Sequence, residues 1–361
     1  MFASTYRKAR NFTRYIFRNI LYLSKRLRVT NSLDIKGKDV ILFYLPSGEW
    51  ISGGILSIFF LIDNSVKIRP DAVVIPFVLT KLQRYFKTSW FKSPFFIFNA
   101  LDIKGKLRQS SNMVIHVPEC LSEQFFDSVK KYSLEDITRR ATINILNQND
   151  EAMPMAEVFY QNKSLCGKLT MTLAFEANQT KSYPFLDMHQ ITLSTWFYRD
   201  KNVFSDFEKK EDICIISPDY HPLKDKIVNK IRSEMDVQCI EIRNMPFDDY
   251  RILRAKAKWA VSFGEGYDAY FAGTIANGGM GFGVDQDDFR PPFIGVDNLP
   301  ENAFCSYEDM FRGIVERMKY FAQHPDQRLI LGKKLAAGMA EISSPELVSQ
   351  NLDNYYKAIG I

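Results

Sequence analysis

Residues 40–45 (Val-Ile-Leu-Phe-Tyr-Leu) form an uninterrupted apolar run. A strand with one wet face would alternate, so this run predicts a strand buried on both faces, as in a parallel sheet covered by helices. It ends in Pro46-Ser-Gly-Glu-Trp-Ile-Ser-Gly-Gly54, after which apolar positions recur at helical spacing. Strand, glycine-bearing loop and helix are the opening unit of a parallel α/β sheet. Further buried strands are expected at 72–78, 95–99, 112–117, 142–146 and 169–174, with helices at 121–132 and 154–162. After a charged stretch at 204–211 the pattern restarts: strand 213–216, helix 223–235, strand 237–242, helix 247–257, strand 259–263, helix 267–276 and strand 281–284. Helical stretches at 307–322, 327–339 and 345–359 close the chain. No segment repeats at a period of 20 to 50 residues, which argues against a solenoid. The expected organisation is α/β: an arm at 1–38, two doubly wound Rossmann-like domains at 39–200 and 201–340 facing across a cleft, and a helix at 341–361 packing back towards the first domain.

Composition narrows the class. With 361 residues, 46% hydrophobic and 25% charged, the chain has enough apolar surface to fold, and wholesale disorder is excluded. The longest uncharged apolar stretch, 51–62, contains two glycines and falls well short of the ~20 residues that span a bilayer. The net charge of +5 is unevenly placed. Arg7, Lys8, Arg10, Arg14, Arg18, Lys25, Arg26 and Arg28 sit in residues 1–28 without an acid, so the remainder is acidic on balance. At helical spacing Phe12, Tyr15, Ile16, Asn19, Ile20 and Leu23 share a face flanked by Arg14, Arg18 and Lys25. This basic amphipathic arm suits an anionic membrane interface, and also docking on its own protein or a partner. It lacks the apolar core of a signal peptide. Nucleic acid is not an expected partner, because nothing else in the chain is basic enough to track phosphates. Five cysteines and four histidines are scattered with no CxxC pair or ligand spacing, so a reducing compartment is expected and neither a metal nor a cofactor is.

The sharpest chemistry lies in 262–281. Glu265 follows a buried strand between Gly264 and Gly266, on a loop whose backbone can approach a ligand and whose N–H groups open the helix bearing Tyr267. Such a helix start favours a diphosphate, with Glu265 beside it on a sugar hydroxyl. The alternative reading is that Glu265 caps the helix and the glycines only shape turns. His116, near the end of a strand, is either a catalytic group at the cleft or a satisfied core histidine. Asp150, Glu151 and Glu176 stand at strand ends as acceptor-side acids or bases. Aromatic residues at 85–96 are mostly core, with some suited to an acceptor or lipid-facing platform.

These residues resemble the GT-B glycosyltransferases, in particular the large retaining family marked by Glu, seven residues, then Glu. Glu265, Gly266 and Tyr267 match its opening, and Ala276 and Gly278 its end; Gly273 stands where the second Glu belongs, with Asp268 as the residue to compensate. The resemblance makes Gly53 and Gly54 the paired-glycine loop of the first domain. His221 or Lys224 becomes the basic residue on the phosphates, and 240–246, with Arg243 and Asn244, the strand end that stacks the nucleobase. The segment 147–151 resembles one found in bacterial polysaccharide rhamnosyltransferases, which 169–178 and 187–189 fit more loosely. The resemblance implies sugar transfer from a nucleotide-sugar donor to a lipid-linked bacterial surface polysaccharide, with neither metal nor cofactor, with retention slightly favoured, on the cytoplasmic face of the plasma membrane. A nucleotide-sugar epimerase of the same architecture is one alternative. A non-catalytic, nucleotide-sugar-binding member of a glycan assembly complex is another, favoured by Gly273.

Overall fold

The computed structural model describes residues 26–46, 53–79, 95–173, 183, 186–190, 205–243, 245–286, 290–291, 293–295 and 299–361. The first sheet is built from β1 (Val40–Tyr44), β2 (Val73–Val78), β3 (Phe98–Asn99), β4 (Met113–Pro118), β5 (Thr142–Asn147), β6 (Lys168–Leu173) and β7 (Asp187–Gln190). Their order is β3-β2-β1-β4-β5-β6-β7, parallel throughout. The connecting helices are α1 (Gly53–Ile68), α2 (Ala100–Leu107), α3 (Ser122–Lys131), α4 (Glu135–Thr138) and α5 (Ala156–Asn162). The apolar run of β1 is divided between two cores. Val40, Leu42 and Tyr44 enter one, Ile41 and Phe43 the other, all five at most 1% exposed. This double burial is why the run does not alternate.

The second sheet contains β8 (Glu211–Ile216), β9 (Gln238–Glu241), β10 (Ala257–Val261), β11 (Met280–Val284) and β12 (Ala303–Phe304), ordered β12-β11-β10-β8-β9 and again parallel. Helices α6 (Lys224–Glu234), α7 (Phe247–Lys256) and α8 (Ala269–Ala276) connect its strands, and α9 (Tyr307–Gln323), α10 (Pro325–Ser343) and α11 (Pro345–Ile359) follow. In each sheet the chain winds outward in one direction and then resumes on the other side of its first strand. The reversals fall between β1 and β4 and between β8 and β10. Open α/β sheets bind ligands at the carboxyl ends of strands beside such reversals.

The last helix belongs to the first domain's packing. α10 sends Leu331, Leu335 and Met339 into the second core. Ser344 then caps α11, accepting from Leu347 N at 3.1 Å, with Pro345 in the first turn. α11 places Val348, Leu352, Tyr355 and Tyr356 against Ile41, Phe43 and Phe59. Arg69 pairs with Asp353 at 2.5 Å, and Ser65 Oγ lies 2.7 Å from Tyr356 Oη. At the other end, residues 26–32 are helical, Arg26 pairs with Asp102, and Lys106 Nζ donates to Leu33 O at 2.6 Å. The rest of the basic arm, 1–25, lies outside the described residues. Among the described residues no helix is long and apolar enough to cross a membrane.

Candidate functional site

The half-site on the second sheet is formed by the loops after β8 and β10. They are stitched together from beneath: Ser217 N donates to Val261 O at 3.0 Å, and Phe263 N donates to Ser217 Oγ at 2.8 Å. At Gly264 a Cβ would lie 2.9 Å from Asp219 Oδ2 and 3.4 Å from Asp268 Oδ2, so a side chain there would displace the Asp219 carboxyl. Gly266 adopts φ +74°, and a Cβ would come within 2.2 Å of Val284 O. At Gly266 the backbone takes a left-handed path that other residues rarely adopt. Between the two glycines Glu265 is exposed, and its carboxyl makes no hydrogen bond or ion pair among the described residues. Its pKa is raised, first by the protein enclosing it on most sides and then by the neighbouring charge of Asp219. An accessible yet enclosed carboxyl fits a position on a concave surface. Gln286 Nε2 braces the loop by donating to Gly264 O at 2.6 Å, and Tyr267 Oη donates to Asp285 Oδ1 at 2.9 Å.

Two expectations for the phosphates are corrected. The helix start is occupied, since Asp268 is the N-cap of α8 and its Oδ1 accepts from Tyr270 N at 2.8 Å and Phe271 N at 3.1 Å. Ser262 Oγ donates to its other oxygen at 2.5 Å. Burial pushes Asp268 up to about 7, against these donors. Lys224 is the second correction. Its ammonium is buried and committed to Ser217 O at 2.5 Å, Asp219 O at 2.9 Å and Glu241 Oε1 at 2.5 Å. It ties the β8 loop to the end of β9 and has no charge to spare for a phosphate. Arg243, with a side chain 63% exposed, also reaches Glu241, at 2.7 Å. His221 stacks on Tyr307 at 3.6 Å between ring centroids, and its Nδ1 accepts from Leu223 N. Asn244 lies outside the described residues.

The position of the missing second Glu is also explained. Gly273 is the fifth residue of α8 and faces α7, where a Cβ would meet Arg254 Nη1 at 2.5 Å. Arg254 is buried, donates to Asn277 Oδ1 at 3.0 Å and lies over the Tyr250 ring. A carboxylate at 273 would point into this packing.

On the first sheet, Gly53 and Gly54 open α1 beside the end of β1, and a Cβ at Gly54 would lie 2.9 Å from Gln148 Oε1 in the β5 loop. Glu151 is exposed in that loop; the side chain of Asp150, and Glu176 altogether, lie outside the described residues, as do residues 80–94. His116 is corrected. It is fully buried in β4 and stacked on Phe43, its Nδ1 accepts from Asn144 Nδ2 at 2.9 Å, and its Nε2 lies 3.1 Å from Tyr356 Oη. Burial depresses its pKa to about 3, so it is a neutral core histidine beneath α11. Two residues that the sequence reading passed over stand nearer the strand ends. Asp219 crowds Gly264, and Glu119 follows β4 directly, buried, with Oε2 unpartnered. Burial raises Glu119 to about 7. The sequence signal for it was a carboxylate immediately after a predicted strand.

No family model and no curated protein matches this chain. Solved structures do. An alpha-glucosyltransferase in complex with UDP and a 13-mer DNA containing an HMU base is 12% identical, covers 90% of this chain and 100% of its own, and superposes with a TM-score of 0.55. The S. aureus MnaA–UDP structure (11% identical, 90% and 96% covered) and the E. coli heptosyltransferase WaaC with ADP (10%, 81% and 99%) give 0.45 and 0.37. With two parallel sheets, each flanked by helices, the chain has the α/β GT-B fold of two Rossmann-like domains.

Proposed function

We propose that this protein is a glycosyltransferase that moves a sugar from a nucleotide-sugar donor to a lipid-linked bacterial surface glycan, without a metal. The observation that carries this reading is Glu265, presented at the reversal of the second sheet between Gly264 and the left-handed Gly266 and without a partner of its own among the described residues. In a GT-B fold that position suits a carboxylate gripping donor hydroxyls. Breaking the bond from the anomeric carbon to the diphosphate builds negative charge on the leaving oxygen. Preorganised donors aimed at that charge lower the barrier. Here the glycine-flanked backbone approaches the diphosphate, and Arg243 can exchange Glu241 for a phosphate. The acceptor is a glycan and not a nucleic acid because, outside residues 1–28, acidic charge prevails. The basic arm places the enzyme on the inner face of the plasma membrane, raising its effective concentration at a lipid-anchored acceptor.

UDP, ADP, GDP and dTDP, and their sugar conjugates, test the reading by calorimetry and product release. Glu265→Ala is expected to lower turnover by about 10²-fold or more, with the circular dichroism spectrum unchanged. Vesicles containing anionic lipid should float the full chain, and not one beginning at Asp39. The committed Lys224, the capped start of α8 and Gly273 favour a second reading, a non-catalytic nucleotide-sugar-binding subunit of a glycan assembly complex. Tight sugar-nucleotide binding with no turnover would establish it.

A further inference from the structure

Glu119 immediately follows β4, at the place where β4 lies against β1 and the first sheet reverses. It is 5% exposed, and its Oε2 has no hydrogen-bond partner. A carboxyl oxygen taken out of water and left unpaired is more costly than the bond it forgoes, so native chains seldom keep one unless something else supplies the partner. The surroundings are arranged around this group. The backbone N–H groups of Gln148 and Asn149, from the loop after β5, face its carboxyl along with its own N–H. The Gln148 side chain in turn closes on Gly54, where any side chain would collide with Oε1 at 2.9 Å. Glu119 thus adjoins the loop after β5, and that loop in turn contacts the start of α1 at Gly54. Burial holds that carboxyl at about 7, against the pull of the three N–H groups. A base poised there takes and returns protons near neutrality.

The geometry points to Glu119 as the proton acceptor for the incoming hydroxyl, at the carboxyl end of β4 beside the β5 loop. This inference rests on the glycosyltransferase reading and adds the acceptor half of the same site. In the step, a lone pair of the acceptor oxygen forms the bond to the anomeric carbon as its proton passes to Glu119 Oε2. The bond from that carbon to the diphosphate breaks, and its electron pair leaves on the phosphate oxygen. Glu119 then releases the proton to solvent. Direct displacement of this kind inverts the anomeric centre, contrary to the outcome favoured by the Glu-x7-Glu resemblance. The two carboxyls divide the work by domain: Glu265 holds the donor, and Glu119 prepares the nucleophile.

UDP-glucose, ADP-glucose, GDP-mannose and dTDP-rhamnose serve as probes, with water as the acceptor, so that no glycan need be known. For whichever conjugate the wild type hydrolyses, Glu119→Gln should lower kcat by about tenfold or more and change the Kd of the matching nucleoside diphosphate by less than about twofold. The wild-type kcat should fall on the acid side of about pH 7, a limb absent from the variant. Hydrolysis at the wild-type rate with an unchanged pH profile overturns the inference, as does an equal loss of nucleotide binding. The thermal midpoints of Glu119→Gln and Glu119→Met guard against a merely structural role. A group kept for chemistry leaves them unchanged or raised, whereas a fall of more than about 5 °C in both makes Glu119 a loop support and ends the proposal. A wild type that binds none of the nucleoside diphosphates, or binds without turning any conjugate over, overturns the glycosyltransferase reading and takes this inference with it.

Discussion

Gly266 turns the loop after β10 at φ +74° under the Val284 carbonyl. Gly266→Ala should therefore cost about 1–3 kcal/mol, seen as a lowered urea midpoint, whereas at Gly264 the obstructing atom belongs to the movable end of Asp219. The His116 network makes a different prediction. Tyr356→Phe leaves His116 Nε2 without its partner, whereas Ser65 keeps Leu61 O, and should cost about 1–3 kcal/mol, while turnover per folded molecule stays at the wild-type level. Lost turnover at full stability would return His116 to the chemistry. Glu119 links stability to pH. Its pKa rises from 4.5 unfolded to about 7 folded, so its contribution is fully present below pH 4.5 and is lost as pH rises through 7. Relative to Glu119→Gln, the wild type should lose on the order of 3 kcal/mol across that window, read from urea midpoints at half-unit intervals. His116 acts with the opposite sign. Held at about 3 against an ordinary 6.5, it supports the fold above pH 6.5 and withdraws that support as pH falls towards 3.

Helix α8 shows what a sequence motif hides. Aligning Gly273 with a family carboxylate assumes a register, and the register is set by the cap. Asp268 starts the helix at Ala269, so position 273 faces Arg254 and not a ligand. Gly273→Glu is accordingly expected to overpack the α7–α8 contact at about 1–3 kcal/mol, lowering the thermal midpoint without tightening nucleotide binding. A strand such as Val40–Tyr44 was legible because double burial writes a continuous apolar run. The two-residue strands β3 and β12 and the polar strand β7 carry no such run; only β3 was anticipated, inside a longer span, and α2 buries just Ala100, Ile103 and Leu107. Of the candidate site, the glycine-flanked Glu265 was readable from its spacing. Lys224 and His116 were misplaced because nearness to a strand end does not reveal which partners a buried polar group has already found. Glu119 was overlooked because a carboxylate after Pro118 looks like the start of a helix.

At the scale of the whole molecule, α11 makes the first domain depend on residues far from it in the chain. Val348, Leu352, Tyr355 and Tyr356 are at most 1% exposed, and burying each such side chain contributes about 1.5–3 kcal/mol. Their sum is comparable to the whole stability of an ordinary domain. Deleting residues 345–361 should leave the first domain open to protease while the second, which keeps α10, resists; equal resistance in both would show that α11 is dispensable. The same crossing has a consequence for synthesis. A ribosome delivers β1 early, yet the surface bearing Ile41 and Phe43 stays partly bare until residues 345–359 emerge. The half that is translated first is completed last, and the nascent polypeptide must shield a sticky surface throughout the making of its second half.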